Sequence, residues 1–316
     1  MGRRPRPRGP VHDAVLVVDK PAGPTSHDVV ARVRRAVGHS RVGHTGTLDP
    51  AATGVLVLCL GRATKLVQFL QAGTKTYAAR IQLGITTDTQ DAEGTVLDTA
   101  DASHLDEHTV CAALTAFQGT FEQIPPMVSA LKVDGERLHA KARRGETVER
   151  QPRQAHVGSL VVDGFAPGAV AEVSVLLTCS AGTYVRTIAH DVGEALGVGG
   201  SLLSLRRVAN GPFTLSEATD LTAVDEGGAA AVEAASMDVL AAVTRTVEVV
   251  EVADEDLARR ITQGGDGPAL DHDRAVALVR PAEGDRPAQL LAIARHDAER
   301  GRTRSQLVWT RPQELV

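Results

Sequence analysis

The chain has little of several things, and each shortage excludes something. Aromatic residues make up 3% of it, as five Phe, two Tyr and one Trp. The three cysteines, Cys59, Cys111 and Cys179, are far apart and form no CxxC pair, which speaks against a disulfide framework or a zinc site. No apolar run approaches the roughly 18 residues that a membrane helix needs. The basic stretch Met1–Pro10 is not followed by an apolar segment bounded by small residues, so it does not read as a secretory signal. These absences predict a cytoplasmic chain with no membrane attachment. Lysine is also scarce, at five of 34 basic residues. An arginine-heavy set suits bidentate phosphate contacts, although base composition of the coding sequence explains it equally well.

What is present is a 316-residue chain with 43% hydrophobic residues, enough for one large domain and a small one. The net charge of -5 is unevenly spread: Asp220–Leu257 holds ten acidic residues and one basic, or -9, leaving +4 for the rest. Local basic patches bind phosphate whatever the total charge, so the net charge decides nothing about nucleic acid.

Residues 1–10 hold four Arg and three Pro and read as a disordered basic tail. Ala14–Val18 is an apolar strand. Thr25 and Asp28 form a T-x-x-D capping box ahead of Val29, Val30, Val33 and Val37 at helical spacing, and Gly38 ends that helix. A polar loop over 40–53 precedes a buried strand, Gly54–Leu60, and a helix is predicted over 63–70. Thr76–Leu83 alternates as a half-buried strand, residues 86–94 read as a polar loop, and Val110–Phe117 belongs to a helix. The 125–153 segment carries seven basic residues against four acids and reads as an exposed insertion. A strand over 170–178, a turn at Ser180–Gly182 and a helix over 183–196 follow. Beyond Phe213 a helix is predicted near 229–242. Four short strands then follow, at 247–252, 275–279, 290–294 and 306–309. The predicted organisation is a tail (1–10), a main domain (11–240) and a small β-rich domain (241–316).

Three constellations could carry chemistry. Asp49 sits in a glycine-flanked loop between regular elements, where catalytic groups are often held, although Asp before Pro is also a common turn. Tyr184 and Arg186 stand at a helix start after a strand, and an Arg there can hold a carboxylate ionised or simply form a surface ion pair. Tyr77 falls on the buried face of its strand, where its hydroxyl wants a partner; it could stack on a base or fill the core.

Seven segments in fixed order resemble the bacterial TruB family of tRNA pseudouridine synthases. They are Asp19-Lys20-Pro21-Ala22-Gly23-Pro24-Thr25-Ser26, the long stretch Arg41–Gly54 containing Gly43-His44-Thr45-Gly46-Thr47-Leu48-Asp49-Pro50, Lys75-Thr76-Tyr77, Thr87-Asp88-Thr89 with Asp91 and Gly94, Pro125–Lys132, Cys179–Arg186, and Leu205-Arg206-Arg207. The match spans roughly residues 14–213. The resemblance implies an α+β fold, a mixed β-sheet flanked by helices with a small β-rich PUA-like C-terminal domain. It implies isomerisation of uridine 55 in the TΨC arm of tRNA to pseudouridine, without cofactor or metal. Asp49 would be the nucleophile, paired with Arg186. Tyr77 would stack on the target uracil, and Tyr184 would complete the catalytic set. Lys20, His44, Leu205, Lys132, Arg143 and Arg144 would bind or support the RNA, with Lys20 packing beneath the site and His44 entering where bases are flipped out. The 125–153 insertion would close over the RNA. The chain departs from the family at Val128, often an aromatic, and at His139, often Tyr.

The implied reaction breaks the N1–C1′ bond, turns the base and joins C5 to C1′. Base extrusion is needed first; stacking on Tyr77 and entry of His44 would offset part of that cost, about 1–3 kcal/mol per stacked base. Asp49 would need to be ionised, and Arg186 is expected to lower its pKa. Tyr77 is a candidate to remove the C5 proton. No protein partner is implied, and the chain is expected to be a monomer. The alternatives are a guide-RNA-dependent synthase, a non-catalytic RNA chaperone, and a carbohydrate hydrolase using Asp88 or Asp91 as a second carboxylate.

Overall fold

The computed structural model describes residues 12–71, 73–129, 132–133, 136–138, 144, 146 and 148–315. The basic tail and Arg143 lie outside the described residues. In chain order the first elements are β1 (Ala14–Lys20), α1 (Ser26–Val37), β2 (Val42–His44), β3 (Thr53–Leu60), α2 (Val67–Leu70), β4 (Lys75–Leu83), β5 (Ile85–Thr87), β6 (Val96–Thr99), α3 (Glu107–Thr115), β7 (Gly119–Gln123), β8 (Lys132–Val133) and β9 (Glu136–Arg137). Then come β10 (Arg153–Ala166), β11 (Ala171–Cys179), α4 (Val185–Ala195), β12 (Gly200–Asn210), β13 (Phe213–Thr214), β14 (Thr219–Asp220), α5 (Leu221–Ala235), β15 (Ser236–Asp238) and α6 (Val239–Thr244). The chain ends in β16 (Glu248–Glu251), α7 (Glu255–Thr262), β17 (Val276–Arg280), β18 (Gln289–Asp297) and β19 (Arg302–Val308).

Eleven strands form one mixed sheet whose main path is β14-β1-β3-β12-β4-β11-β10-β7. β3 and β12 run parallel, whereas β12, β4, β11, β10 and β7 pair antiparallel in turn. A separate four-stranded sheet, β16-β17-β18-β19, closes the chain. The fold is thus α+β, with a small β-rich C-terminal unit. That unit is packed against the main sheet: Ala277, Val279, Leu290 and Ile293 share a core with Val15, Val57 and Leu66. Each such apolar side chain contributes about 1.5–3 kcal/mol on burial.

The α1 capping box forms as its sequence indicates. Thr25 accepts from Asp28 N–H, the Asp28 carboxylate accepts from Thr25 N–H, and Gly38 ends the helix in the left-handed region at φ 72°. Other expectations need correction. The predicted helix over 63–70 is a tighter 3-10 segment, Gly61–Leu66, followed by a single α turn. The polar loop over 86–94 includes a short antiparallel ladder, β5 with β6. The helix predicted near 229–242 is broken. Residues Ser236–Asp238 leave the helix to pair antiparallel with Ala14–Leu16. Asp238 then caps the next helix by accepting from Leu240 and Ala241 N–H. Strand pairing at an open sheet edge outweighs local helix preference there.

One cross-strand row organises the centre of the sheet. Lys20 pairs with Gly54, Gly54 with Arg207, Arg207 with Tyr77, and Tyr77 with Leu177. Residues directly opposite in a ladder share a face, so the register itself gathers Lys20, Arg207 and Tyr77 on one side.

Candidate active site

A cavity of about 290 Å³ opens above that row. Its walls include Thr45–Asp49 from the loop before β3, Lys75 and Tyr77 from β4, Tyr184 and Arg186 at the start of α4, and Leu205 and Arg207 from β12. The volume is near the lower end of the roughly 300–1,000 Å³ typical of small-ligand pockets. It suits one extruded nucleoside and is too small for a duplex.

Asp49 stands at the end of the loop, its side chain 43% exposed to the cavity. Both limbs of that loop are held from below. On the far side of Asp49, Lys20 donates to Pro50 O at 2.9 Å and Ala52 O at 2.7 Å, and also to Pro21 O at 2.9 Å. On the near side, Arg207 donates to Gly46 O at 3.2 Å and Thr47 O at 3.4 Å, and it is anchored to β3 by a bond to Val55 O at 2.7 Å. Between them Ser26, at the start of α1, accepts from Leu48 N–H at 2.9 Å and donates to Leu48 O at 3.1 Å. A loop whose backbone groups are satisfied by buried side chains is stiff, since each lost bond would strand a buried polar group.

Arg186 is 5% exposed, and each guanidinium nitrogen is committed. Its Nε lies 3.1 Å from Asp49 Oδ2. One terminal nitrogen meets Asp91 Oδ2 at 3.2 Å and Thr89 O at 3.1 Å, and the other donates to Val128 O at 2.9 Å. The contact to Asp49 is therefore single, not bidentate, because the planar fork is shared with Asp91. Arg186 ties together the Asp49 loop, the 87–94 loop and the start of the insertion.

The carboxyl of Asp49 is pushed above the ordinary carboxylate value by burial at the pocket wall; Arg186 opposes that shift, Asp91 reinforces it and Lys20 opposes it. Arg186 lowers the value as expected, but burial outweighs it. The cavity restricts water around the group despite its exposed edge, and desolvation of an anion is costly. Burial also pushes the phenols of Tyr77 and Tyr184 upward. Both stay protonated at neutral pH, which counts against Tyr77 starting as the base for the C5 proton. Burial lowers Lys20 and Lys75 to about 8 each.

The structure brings Asp49, Tyr77, Tyr184, Arg186 and Leu205 to one cavity. Tyr184 precedes α4, and its backbone is clamped by the buried Gln123, which accepts from Tyr184 N–H at 2.8 Å and donates to Tyr184 O at 3.0 Å. His44 lies outside the cavity wall, packed edge-to-face on His27 with ring centres 5.3 Å apart. Its Nδ1 accepts from Gly46 N–H at 3.3 Å. Lys20 packs beneath the site, as the resemblance implies, but at 0% exposure with its hydrogen bonds on backbone carbonyls it is a support and not an RNA contact. Arg144 is engaged within its own segment, donating to both oxygens of Glu136 at 2.6 and 2.9 Å and to Glu146 at 2.6 Å. Lys132 lies in β8, and its side chain is outside the described residues. Arg207, Lys75, Ser26 and Gln123 were not singled out from sequence, and Asp91 only as a candidate hydrolase carboxylate. All but Gln123 lie inside the family-like segments, which was the one signal they offered.

Asp91 also disposes of the hydrolase reading. Besides Arg186, it accepts from Thr89 Oγ1 at 2.6 Å and Glu93 N–H at 3.1 Å. Asp88 accepts from Thr95 N–H at 2.8 Å to form a turn. Neither is a free acid facing Asp49.

Fold and site together define a mixed-sheet protein with one carboxylate pocket at the sheet's centre. The same architecture occurs in a Cbf5–Nop10–Gar1 complex, with TM-score 0.71 over 95% of this chain and 86% of that one at 24% identity. An H/ACA RNP bound to a substrate RNA containing 2′-deoxyuridine gives TM-score 0.70 over 95% and 86% at 23% identity. At that identity the likeness concerns fold alone. Two family models match in succession: the TruB family pseudouridylate synthase N-terminal domain at residues 34–185, and the tRNA pseudouridylate synthase B C-terminal domain at 186–250. The chain is 44% identical to tRNA pseudouridine synthase B of Rhodococcus jostii over 100% of both chains. It is 45% identical to that of Thermobifida fusca over 85% of this chain and 91% of the relative. The chain belongs to the TruB family of pseudouridylate synthases.

Proposed function

We propose that this protein converts uridine 55 in the TΨC arm of tRNA to pseudouridine. The observation that carries the reading is the Asp49–Arg186 pair at 3.1 Å, set in a nucleoside-sized cavity beside a buried tyrosine. The extruded uridine enters with its base against Tyr77 and Leu205 and its sugar towards Asp49. His44 takes the place the base leaves in the RNA. As an anion, Asp49 attacks the uridine or accepts a proton from its sugar; the N1–C1′ electron pair leaves with the base. The base turns and C5 bonds to C1′, with Asp49 leaving again as the free carboxylate or returning the proton it took from the sugar. The C5 proton is lost and a proton is gained at N1, so the product is an isomer and no redox partner enters.

Full-length relatives near 45% identity bear the tRNA synthase name, which favours a stand-alone enzyme over a guide-RNA-dependent one. Asp49 adds an anion to the cleft that mere RNA binding does not require, so a chaperone role would accompany chemistry and not replace it. The main domain would span 11–240 and the PUA-like RNA-binding domain 241–316, in a cytoplasmic monomer needing no protein partner. No helix among the described residues is long and apolar enough to cross a membrane.

The test is tritium release from C5-labelled uridine in a bare T-arm stem-loop. Wild-type protein is expected to release one tritium per pseudouridine formed. Asp49→Asn should bind the stem-loop within about threefold of wild type and release none. Release by Asp49→Asn would remove Asp49 from its role; no release by wild type would remove the reading.

A further inference from the structure

Beneath the cavity lie three buried cations, Lys20, Lys75 and Arg207, at 0%, 6% and 1% exposure. Among the described residues none of the three has a carboxylate within ion-pairing distance. Their side-chain hydrogen bonds go to backbone carbonyls: Lys75, for example, donates to Gln71 O and Gly73 O at 2.5 Å each. Buried cations without an ion-pair partner are costly, so their retention needs a reason.

Arg207 is the one whose contacts span the site. It sits mid-row in the sheet, between Gly54 on one neighbouring strand and Tyr77 on the other. A Cβ at residue 54 would lie 2.2 Å from Arg207 O, so glycine alone allows β3 and β12 to approach this closely. From there the guanidinium fixes Gly46 and Thr47 in the limb leading to Asp49. It also stands directly across the ladder from Tyr77, and its charge partly counters the effect of burial on that phenol. The same side chain thus holds the loop that carries the carboxylate and the ring on which the base would rest.

We infer that Arg207 is a positioning residue for the isomerisation, locking the Asp49 loop and the Tyr77 phenol into one frame so that carboxylate and stacked base stay in register. Arg207 acts through these groups and does not itself meet the reacting atoms. Its planar fork is essential to that task, because three separate nitrogens meet the Val55, Thr47 and Gly46 carbonyls, a spread that the single nitrogen of a Lys ammonium lacks. The inference rests on the function proposed above, but part of its test does not.

The experiment uses the full chain as Arg207→Lys, Arg207→Gln, Tyr77→Phe and the double variant Arg207→Lys/Tyr77→Phe. Single-turnover tritium release is measured per folded molecule, with stem-loop affinity alongside. Arg207→Lys should slow release at least tenfold while affinity stays within threefold. A shared frame makes the two single effects non-additive, so the double variant should be little slower than the slower single variant. A second readout needs no activity: alkaline titration of tyrosinate absorbance, clean because the chain has only two tyrosines. Arg207→Gln should move one of the two titrations upward, and Tyr77→Phe should abolish the one that moves. If Arg207→Gln does not fold, Arg207→Lys and the double variant still decide the matter through additivity. Unchanged release per folded molecule, additive effects, or an unmoved titration would each overturn the inference. A wild type without tritium release, but with the titration shift intact, would sink the proposed function and leave the clamp standing.

Discussion

The proposed reaction needs Asp49 as an anion, yet its setting raises its pKa. The sign of the pH effect follows. The protonated form is inactive, so kcat/KM should fall as pH drops through a point above the ordinary value of a free aspartate. Asp91 contributes to that upward shift. In Asp91→Asn its negative charge is gone, while Arg186 keeps Thr89 O, Val128 O and Asp49 as partners. Loss of that charge favours ionised Asp49, so the acid limb should move to lower pH. A pH–rate profile in which the limb stays fixed or moves upward would contradict this electrostatic account. The maximal rate should fall as well, since Arg186 loses one of its anchors. Arg186→Lys is the complementary change. A lysine keeps the charge but cannot serve four acceptors at once, so a rate loss of about 100-fold is expected, read in single-turnover release.

At the scale of elements, the Asp49 loop is a bridge pinned at each end, and the pins can be tested by stability. Lys20→Met removes the donor to the buried Ala52 carbonyl and the partly buried Pro50 and Pro21 carbonyls. Each buried carbonyl left unpaired costs about 1–3 kcal/mol, set against the relief of uncharging a buried site. A net loss of about 1–3 kcal/mol in urea unfolding is expected, together with slower catalysis; an unchanged rate would mean the loop is held without this pin. Gly54→Ala should be worse. Residue 54 has φ 101°, and its Cβ would collide with the Arg207 backbone, so a loss beyond about 3 kcal/mol is expected. These elements were unevenly legible in the sequence. The α1 capping box and the alternation of Tyr77, Ala79 and Ile81 are local patterns and could be read directly. The pins could not be read, because Lys20, Gly54 and Arg207 meet only through a register spanning more than 180 residues of chain. The break at Ser236 was hidden for the same reason: its cause is an open strand edge over 200 residues away. The family resemblance supplied Asp49, Tyr77, Tyr184 and Arg186, but residue-level reading left each as a turn or core position until the fold placed them around one cavity.

Over the whole molecule, the net charge of -5 is less informative than its placement. The acidic stretch that begins at Asp220 occupies one edge of the main sheet, where β14 and β15 flank β1. The basic insertion leaves β7 and returns as β10 at the opposite edge. Helix α5, with Asp225, Glu226 and Glu233, packs beside α1, and Asp225 pairs with Arg32. Arg153, at the start of β10, is exposed and close enough to Tyr184 to lower its pKa. A polyanion approaching the cavity would thus meet the basic edge, with most of the acidic charge across the sheet. Counterion release makes this measurable, since each lost phosphate contact reduces the slope of log K against log salt by about 0.7–0.9. Arg153→Gln should lower the slope for stem-loop binding by about one such unit. Glu226→Gln with Glu233→Gln removes two negative charges and should leave both affinity and slope within about twofold of wild type. Were the acidic pair to tighten binding strongly, the RNA would have to cross α5, and the path assigned to it here would be wrong.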